Sequence, residues 1–456
     1  MWKMEELDQL AEFVATLTFD SLPPAVVERA KWILRDTVGV IVGGMAEKEV
    51  AALAGFAART APGPAILLGH GGRTKEGWAA LVHGTAGTTL EMDEGHAFAR
   101  GHAAIHAVPP TLAQAHNASG QEVMAAMVAG YEVAARSGVA TRLRQPVHPF
   151  GAWGVLGAAA VGAWFKGFEA DDVAGTLELA ASYAITPSFE TAYQGATVRN
   201  TYAGMVNRLG LLAADFYELG FRGQRGGLQT SFGEILGQSF HPAALSDGLG
   251  QRYEMMRGYF KPYSGCRYTH AAIDAVLSLQ ADEVVDIDDL ASVDVFTYDI
   301  AAHLSDPAPK TPLAGRFSTP YVVAATLVNG SAGPELFVPE MLANHQVLDL
   351  AARVNVGKNV DFTAMTPARR PAQVILHFKD GQRRECTVYG SKGDPDQPMS
   401  DAELEAKFYG LCEPILGPEQ TRRAWEELGR IEQLEEVQGT LEILAPVPMH
   451  VEVPRS

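Results

Sequence analysis

The feature that most constrains this chain is a change of hydrophobic period part-way along it. Up to about residue 263, apolar residues recur at three-and-four spacing, the mark of helices that bury one face. Leu7, Leu10, Phe13, Val14 and Leu17 begin the pattern, and Ala30, Ile33, Leu34 and Val38 continue it behind Pro23-Pro24. From about residue 264 the period drops to two. β-Branched segments at residues 292–298, 352–356, 372–378 and 385–388 alternate in and out, and Asp380-Gly381 supplies a tight turn. One helix at residues 267–280 leads into them, and short helices at residues 321–328 and 346–350 interleave. Residues 401–436 return to an acidic helical pattern. The expected fold is therefore mainly α: a large all-α domain from residues 1–263 and 398–456, interrupted by a smaller inserted α+β domain at residues 264–397.

A chain of 456 residues exceeds one ordinary core, which agrees with two domains. Its net charge of −18 argues against a nucleic-acid binder or an anionic-membrane binder, because both need a basic face. An anionic substrate would need a local cationic pocket. Cys266, Cys386 and Cys412 form neither a zinc nor a disulfide framework, which fits a reducing compartment. The acidic, helix-patterned start differs from a secretory signal, and the longest apolar run, residues 151–164, falls short of the ~20 residues of a membrane helix. A cytoplasmic protein is expected. Gly151, Gly154, Ala158 and Gly162 in that run predict a central buried helix that other backbones approach closely.

Chemistry-bearing side chains concentrate at residues 91–106, where Glu91, Asp93, Glu94, His96, Arg100, His102 and His106 fall within sixteen positions. An alanine-rich helix precedes them and Pro109-Pro110 follows, so the stretch reads as a loop between helices. Carboxylates mixed with imidazoles give and take protons near neutral pH. Three further stretches place polar chemistry in apolar surroundings: Val147-His148-Pro149, Thr197-Val-Arg199, and Phe260-Lys261 through His270. Arg199 stands just before a helix start, where backbone N–H groups favour a carboxylate ligand.

Several chemistries compete for these residues. His102 and His106 can share a helix face with Asp93 as a third metal ligand, but the spacing lacks the glutamate of the zinc-protease motif. Cys266 with His270 can form a thiolate nucleophile. Gly69-His-Gly-Gly-Arg73 lacks the lysine of a phosphate loop. What remains is proton transfer without a metal or organic cofactor. Arg100, Arg199, Lys261 and Arg267, with His96 beside them, hold a small anionic carboxylate, while His102, His148 or a Lys261 with a depressed pKa removes a proton next to it.

Met92-Asp-Glu-Gly-His96 with Gly101-His102, His148-Pro149, Thr197-Val-Arg199, Lys261 through His270 and Gly315-Arg-Phe-Ser-Thr-Pro-Tyr321 occur in the order of the MmgE/PrpD family motifs, which the chain resembles from about Leu7 to Leu434. That family contains 2-methylcitrate dehydratase, cis-aconitate decarboxylase and iminodisuccinate epimerase. The resemblance implies a helical domain with an α+β lid, a homodimer, a pocket between the domains and no cofactor. It carries catalytic roles to Asp93, His102, His148, Lys261 and Tyr321, puts Arg199 where the family has lysine, and puts Cys266 where the decarboxylase has a second histidine. Glu94-Gly95-His96 replaces an Asp-Asp-Thr type of sequence. The activity expected is abstraction of a proton α to a carboxylate of a di- or tricarboxylate, with β-elimination of water. Epimerisation, decarboxylation and a catalytically silent carboxylate-binding scaffold are the alternatives.

Overall fold

The computed structural model describes residues 4–446, so the expectations for residues 1–3 and 447–456 lie outside the described residues. The protein is mainly α-helical. The helix Glu5–Thr16 buries Leu7, Leu10, Ala11 and Val14, the face its spacing predicts. Pro24–Gly44 opens with its proline at the first turn, where the missing N–H is unpaired anyway. Lys48–Thr60 follows it.

The apolar run at residues 151–164 forms the helix Gly154–Phe165, buried throughout Gly154–Ala163. Gly120–Ala140 and Thr201–Glu218 pack on its two sides. The approach is close enough to require glycine: a Cβ on Gly210 would lie 2.5 Å from the Val155 carbonyl oxygen, and one on Gly154 would lie 2.4 Å from the His106 ring. Residues 401–428 return to this body. Asp401–Leu416 packs on Pro24–Gly44, and Lys407 Nζ reaches Asp36 Oδ1 at 2.6 Å and the Met92 carbonyl at 2.7 Å.

One expectation fails in an instructive way. Pro109-Pro110 does not end the helix: Ala104–Gln114 runs through both prolines, so a helix starts inside the stretch read as a loop. A proline at 109 leaves the Ile105 carbonyl without its i+4 donor. Asn207 Nδ2 supplies that donor at 2.8 Å from the neighbouring helix Thr201–Glu218, while Asn207 Oδ1 meets His106 Nδ1 at 3.0 Å. Tertiary hydrogen bonding replaces what the sequence removes.

The period-two segments form one four-stranded sheet, in the order Arg383–Val388, Ala372–Phe378, Leu290–Thr297, Val354–Lys358. The last pair is parallel and the others antiparallel. Val293, Val295, Val374 and Leu376 turn to a second hydrophobic core, closed by the helices His270–Asp282, Thr319–Asn329 and His345–Ala351. Among the described residues no helix is long and apolar enough to cross a membrane.

Candidate active site

The acidic stretch is pinned to residues 258–267 by backbone pairing. Leu90 and Glu91 leave the helix Glu76–Thr89, and Glu91 takes a left-handed φ of 54°, a strained conformation for a residue with a Cβ. Its carbonyl accepts from the Gly265 N–H at 3.2 Å and Lys261 Nζ at 3.1 Å, while the Leu90 carbonyl accepts from Ser264 Oγ at 2.7 Å. Four residues on, Gly95–His96 pairs antiparallel with Gly258–Tyr259. Glycine is needed there, because a Cβ on Gly95 would stand 2.4 Å from the Tyr259 ring. Two segments about 170 positions apart in sequence are thereby set side by side.

Between them lies a small chamber of about 40 Å³, room for no more than a few waters. His102, His148, Arg199, Cys266, Arg267, Arg100 and Glu91 line it, with Phe189, Phe317, Tyr259 and Tyr268 as walls. His102 Nδ1 lies 2.8 Å from Asp93 Oδ2, and its ring meets Phe150 edge-on at 4.8 Å. His148 approaches the same Phe150 at 4.8 Å and stacks on Phe189 at 4.6 Å. Its Nδ1 accepts from the Phe150 N–H at 3.2 Å, so the neutral ring carries its proton on Nε2, a buried atom with no hydrogen-bond partner. A neutral His102 ring donating its Nδ1–H to Asp93 presents Nε2 as the acceptor.

The cations are met by carboxylates of the protein itself. Arg199 stands, as expected, just before a helix start, buried in the turn Thr197–Asn200 ahead of Thr201–Glu218, with its guanidinium over Phe150. It forms an ion pair with Glu91 and donates to the Thr88 carbonyl at 3.1 Å. Lys261 Nζ lies 3.4 Å from Glu91 Oε2 and 3.7 Å from Asp93 Oδ1. Arg267 sits over the Tyr259 ring and pairs with Asp394 Oδ1 at 2.5 Å.

These contacts fix protonation states. Burial opposes the charge on Lys261, but Glu91 and Asp93 outweigh it and raise its pKa, so the expectation of a lysine depressed among cations is corrected. Burial likewise opposes ionisation of Asp93, and His102, Lys261 and Arg199 together hold it well below the usual carboxylate range. His148 is neutral: burial, then Arg199 and His102, keep it far below its ordinary value. The Cys266 thiol is pushed up to about 11 by burial and then by Glu91. The neutral thiol is therefore the favoured form. His270 does not pair with it, since Nδ1 meets Arg267 at 3.1 Å and Nε2 meets the Gly265 carbonyl.

Two expected site residues lie elsewhere. His96 faces away from the chamber, with Nε2 3.2 Å from Glu254 Oε2 and Nδ1 accepting from the Ala99 N–H. Its two-residue strand, paired with Gly258–Tyr259, sets the ring against Glu254. Tyr321 is in the second core, packed near Phe337, and its hydroxyl donates to the Leu336 carbonyl at 2.5 Å. The apolar helix Thr319–Asn329 packs there mainly against the helices His345–Ala351 and His270–Asp282. His102 and His106 also diverge, one to Asp93 and the other to Asn207. Among the described residues no three His, Cys, Asp or Glu groups converge to hold a metal.

Sequence reasoning left out Glu91 and Arg370 as site members. Glu91 stood in the acidic stretch, and its position beside Asp93 was the available signal. Arg370 follows Pro367 and precedes Pro371, where a pair of arginines between prolines marks the rigid mouth of the Ala372–Phe378 strand.

Residues 8–237 match the MmgE/PrpD N-terminal domain, and residues 263–433 match the MmgE/PrpD C-terminal domain. The chain is similar to cis-aconitate decarboxylase of Aspergillus terreus, with 23% identity over 96% of this chain and 95% of the relative. It is similar to the cis-aconitate decarboxylase-like protein oryM of Aspergillus oryzae, 24% identical over 96% of each chain. Cis-aconitate decarboxylase of Mus musculus is 24% identical over 79% of this chain and 76% of its own.

Proposed function

The chain belongs to the MmgE/PrpD family, and from that premise we propose that it is a lyase that works without cofactor, removing a proton α to a carboxylate of a small polycarboxylate. The observation that carries this reading is the pair of imidazoles flanking Phe150 in opposite states. His102, backed by an ionised Asp93, has a free Nε2 lone pair, while neutral His148 offers an Nε2–H. The substrate carboxylate enters against Arg199 and Lys261, competing with Glu91 for them. His102 Nε2 takes the α proton, and Lys261, Arg199 and His148 Nε2–H meet the charge that develops on the carboxylate oxygens. The electron pair of the broken C–H bond becomes the new double bond as the β C–O bond breaks. The Cys266 thiol gives its proton to the departing hydroxide, which leaves as water. The proton on His102 then returns to the thiolate through water, restoring both groups. On this reading residues 264–397 are a lid domain inserted in the helical body, and the enzyme is a cytoplasmic homodimer.

Decarboxylation is the second reading, favoured by the names of relatives that match nearly the whole chain. A C–C bond then breaks to release carbon dioxide, and the electron pair left on carbon takes a proton from the same donors. A panel of citrate, methylcitrate, aconitate and amino- or imino-dicarboxylates incubated in heavy water separates these outcomes. New unsaturation with loss of water supports elimination. Released carbon dioxide with one deuterium on carbon supports decarboxylation, and deuterium at an inverted centre supports epimerisation. Binding without turnover or exchange across the panel would leave a silent scaffold.

A further inference from the structure

The carboxylate behind the proposed base, Asp93, has little of its own to hold it. Its Oδ2 lies 2.8 Å from His102 Nδ1, and beyond that ring neither Asp93 oxygen has a hydrogen-bond partner. Lys261 Nζ stands 3.7 Å from Oδ1, too far for a hydrogen bond. The backbone is equally bare: among the described residues no backbone–backbone hydrogen bond of the turns and loops involves Met92, Asp93 or Glu94. A carboxylate so placed takes its position from the peptide that carries it.

That peptide is gripped from the far side. Lys407, on the helix Asp401–Leu416, points its ammonium into the body, 2.7 Å from the Met92 carbonyl and 2.6 Å from Asp36 Oδ1 on the helix Pro24–Gly44. The two side chains are 5% and 1% exposed. The fold alone gives no reason for them, since a buried ion pair carries a desolvation cost and apolar residues of similar volume often pack as well. Asp36 Oδ2 is even left without a partner. What an apolar pair could not do is donate a hydrogen bond to the carbonyl that precedes Asp93. On the other side, Glu94 is tied to the Tyr131 hydroxyl at 2.6 Å and the Ala104 N–H at 3.1 Å, so Asp93 lies between two anchors.

We propose that Lys407, braced by Asp36, is a positioning residue for the reaction: by holding the Met92 carbonyl it aims the Asp93 carboxylate at His102 Nδ1 and so fixes which nitrogen of that ring carries the proton. This rests on the reading that His102 Nε2 is the base. Which ring nitrogen is protonated follows from the hydrogen bond that the other makes, so a carboxylate swung away from Nδ1 lets Nε2 take the proton and lose its basicity. The helix Asp401–Leu416 supplies no residue of the chamber wall, yet it is a working part of the site.

The full chain carrying Lys407→Met with Asp36→Leu tests it, because removing both charges leaves no stranded carboxylate. Steady-state kinetics should show kcat lowered about 10–100-fold with KM within about threefold, the mark of a catalytic group misplaced by about an ångström. Asp36→Asn keeps an oxygen for Lys407 and should stay within about threefold of the parent in both. Nitrogen NMR of the chain labelled in its 13 histidines, with the His102 signals identified by their loss in His102→Gln, reads the tautomer directly. The parent is expected to carry the proton on Nδ1 and the double variant to move toward Nε2. Lys407→Gln keeps a neutral donor and reports if the double variant fails to fold, with a smaller shift in the same direction and kcat down about fivefold. A parent proton on Nε2, a parental His102 signal in the folded variant, or a fall in kcat that only follows the unfolded fraction would overturn the proposal. The NMR needs no turnover: a shifted tautomer in a chain that transforms no acid sinks the lyase reading alone, whereas parental kcat and tautomer in variants of an active chain sink this one alone.

Discussion

Two buried charge networks meet at the short acidic stretch, and they differ in how completely their hydrogen bonds are filled. One is built on Glu132, Arg136 and Glu254. Arg136 spends Nε on Glu132 at 3.0 Å and its other nitrogens on the Asp247 and Arg252 carbonyls, while Glu132 also accepts from the Met255 N–H. The other, around Asp93, His102, His148 and Arg199, leaves His148 Nε2 and Arg199 Nε with no partner and opens on a cavity. Burial of charge is common to both. Unfilled capacity facing a space is what separates a site from a brace. His96 and Asp93, three residues apart, fall on opposite sides of that divide.

The largest effect expected from this contrast is at His102. His102→Ala should lower kcat by about 10²–10⁴, the usual contribution of a positioned base, with thermal unfolding close to that of the parent. Full activity in that variant, with Lys261→Ala losing all solvent proton exchange while still binding, would make lysine the base despite its raised pKa.

The brace should fail in the opposite manner. Arg136→Met strands the Glu132 carboxylate in the core and should cost about 3–5 kcal/mol in denaturant unfolding, leaving kcat per folded molecule unchanged. A loss of kcat with normal stability would erase the distinction between the two networks.

Next in size are the inner cations. Arg199→Ala and Lys261→Ala each remove charge-assisted contacts of roughly 1.5–3 kcal/mol. Contacts equally strong in ground and transition states appear in KM, so steady-state kinetics should show KM raised about tenfold or more with kcat less affected.

Much of this was legible from residues alone, and the failures share a cause. The strands at 290–297 and 372–378 were readable because alternation over seven or eight residues has no helical counterpart. The polar stretch at residues 91–106 stood out because carboxylates and imidazoles crowd it. What stayed hidden depended on partners far along the chain. Asn207 lets a helix run through Pro109-Pro110, Glu254 holds the His96 ring, and one cavity brings Arg100 and Arg370 together across 270 positions. Local pattern carries no information on such pairings.

A smaller effect, on pH dependence, should appear at Glu94. Burial pushes its pKa up to about 7, against the Tyr131 hydroxyl at 2.6 Å and the Ala104 N–H. Raised above its unfolded value, this carboxyl binds its proton more tightly in the folded protein. Between about pH 4.5 and 7 the unfolded state releases that proton first, so stability falls as pH rises, by on the order of 2 kcal/mol. Glu94→Gln should flatten that slope in denaturant melts across the window. An unchanged slope would mean that another group sets it.

The smallest expected effect falls on Tyr321, the residue that the family resemblance placed in the site and the structure places in the second core. Its hydroxyl serves the Leu336 carbonyl at 2.5 Å, and its ring is fully buried near Phe337. Tyr321→Phe keeps the ring and removes one neutral hydrogen bond. The direct loss is about 0.5–1.5 kcal/mol, rising toward 1–3 if the buried carbonyl finds no water. Unfolding in urea should therefore shift its midpoint slightly with an unchanged slope, and both kcat and KM should stay within about twofold. A tenfold fall in kcat without loss of stability would mean that the hydroxyl leaves Leu336 during turnover and reaches the chamber. The second core would then move with the reaction, and the line drawn here between brace and site would pass through it instead of around it.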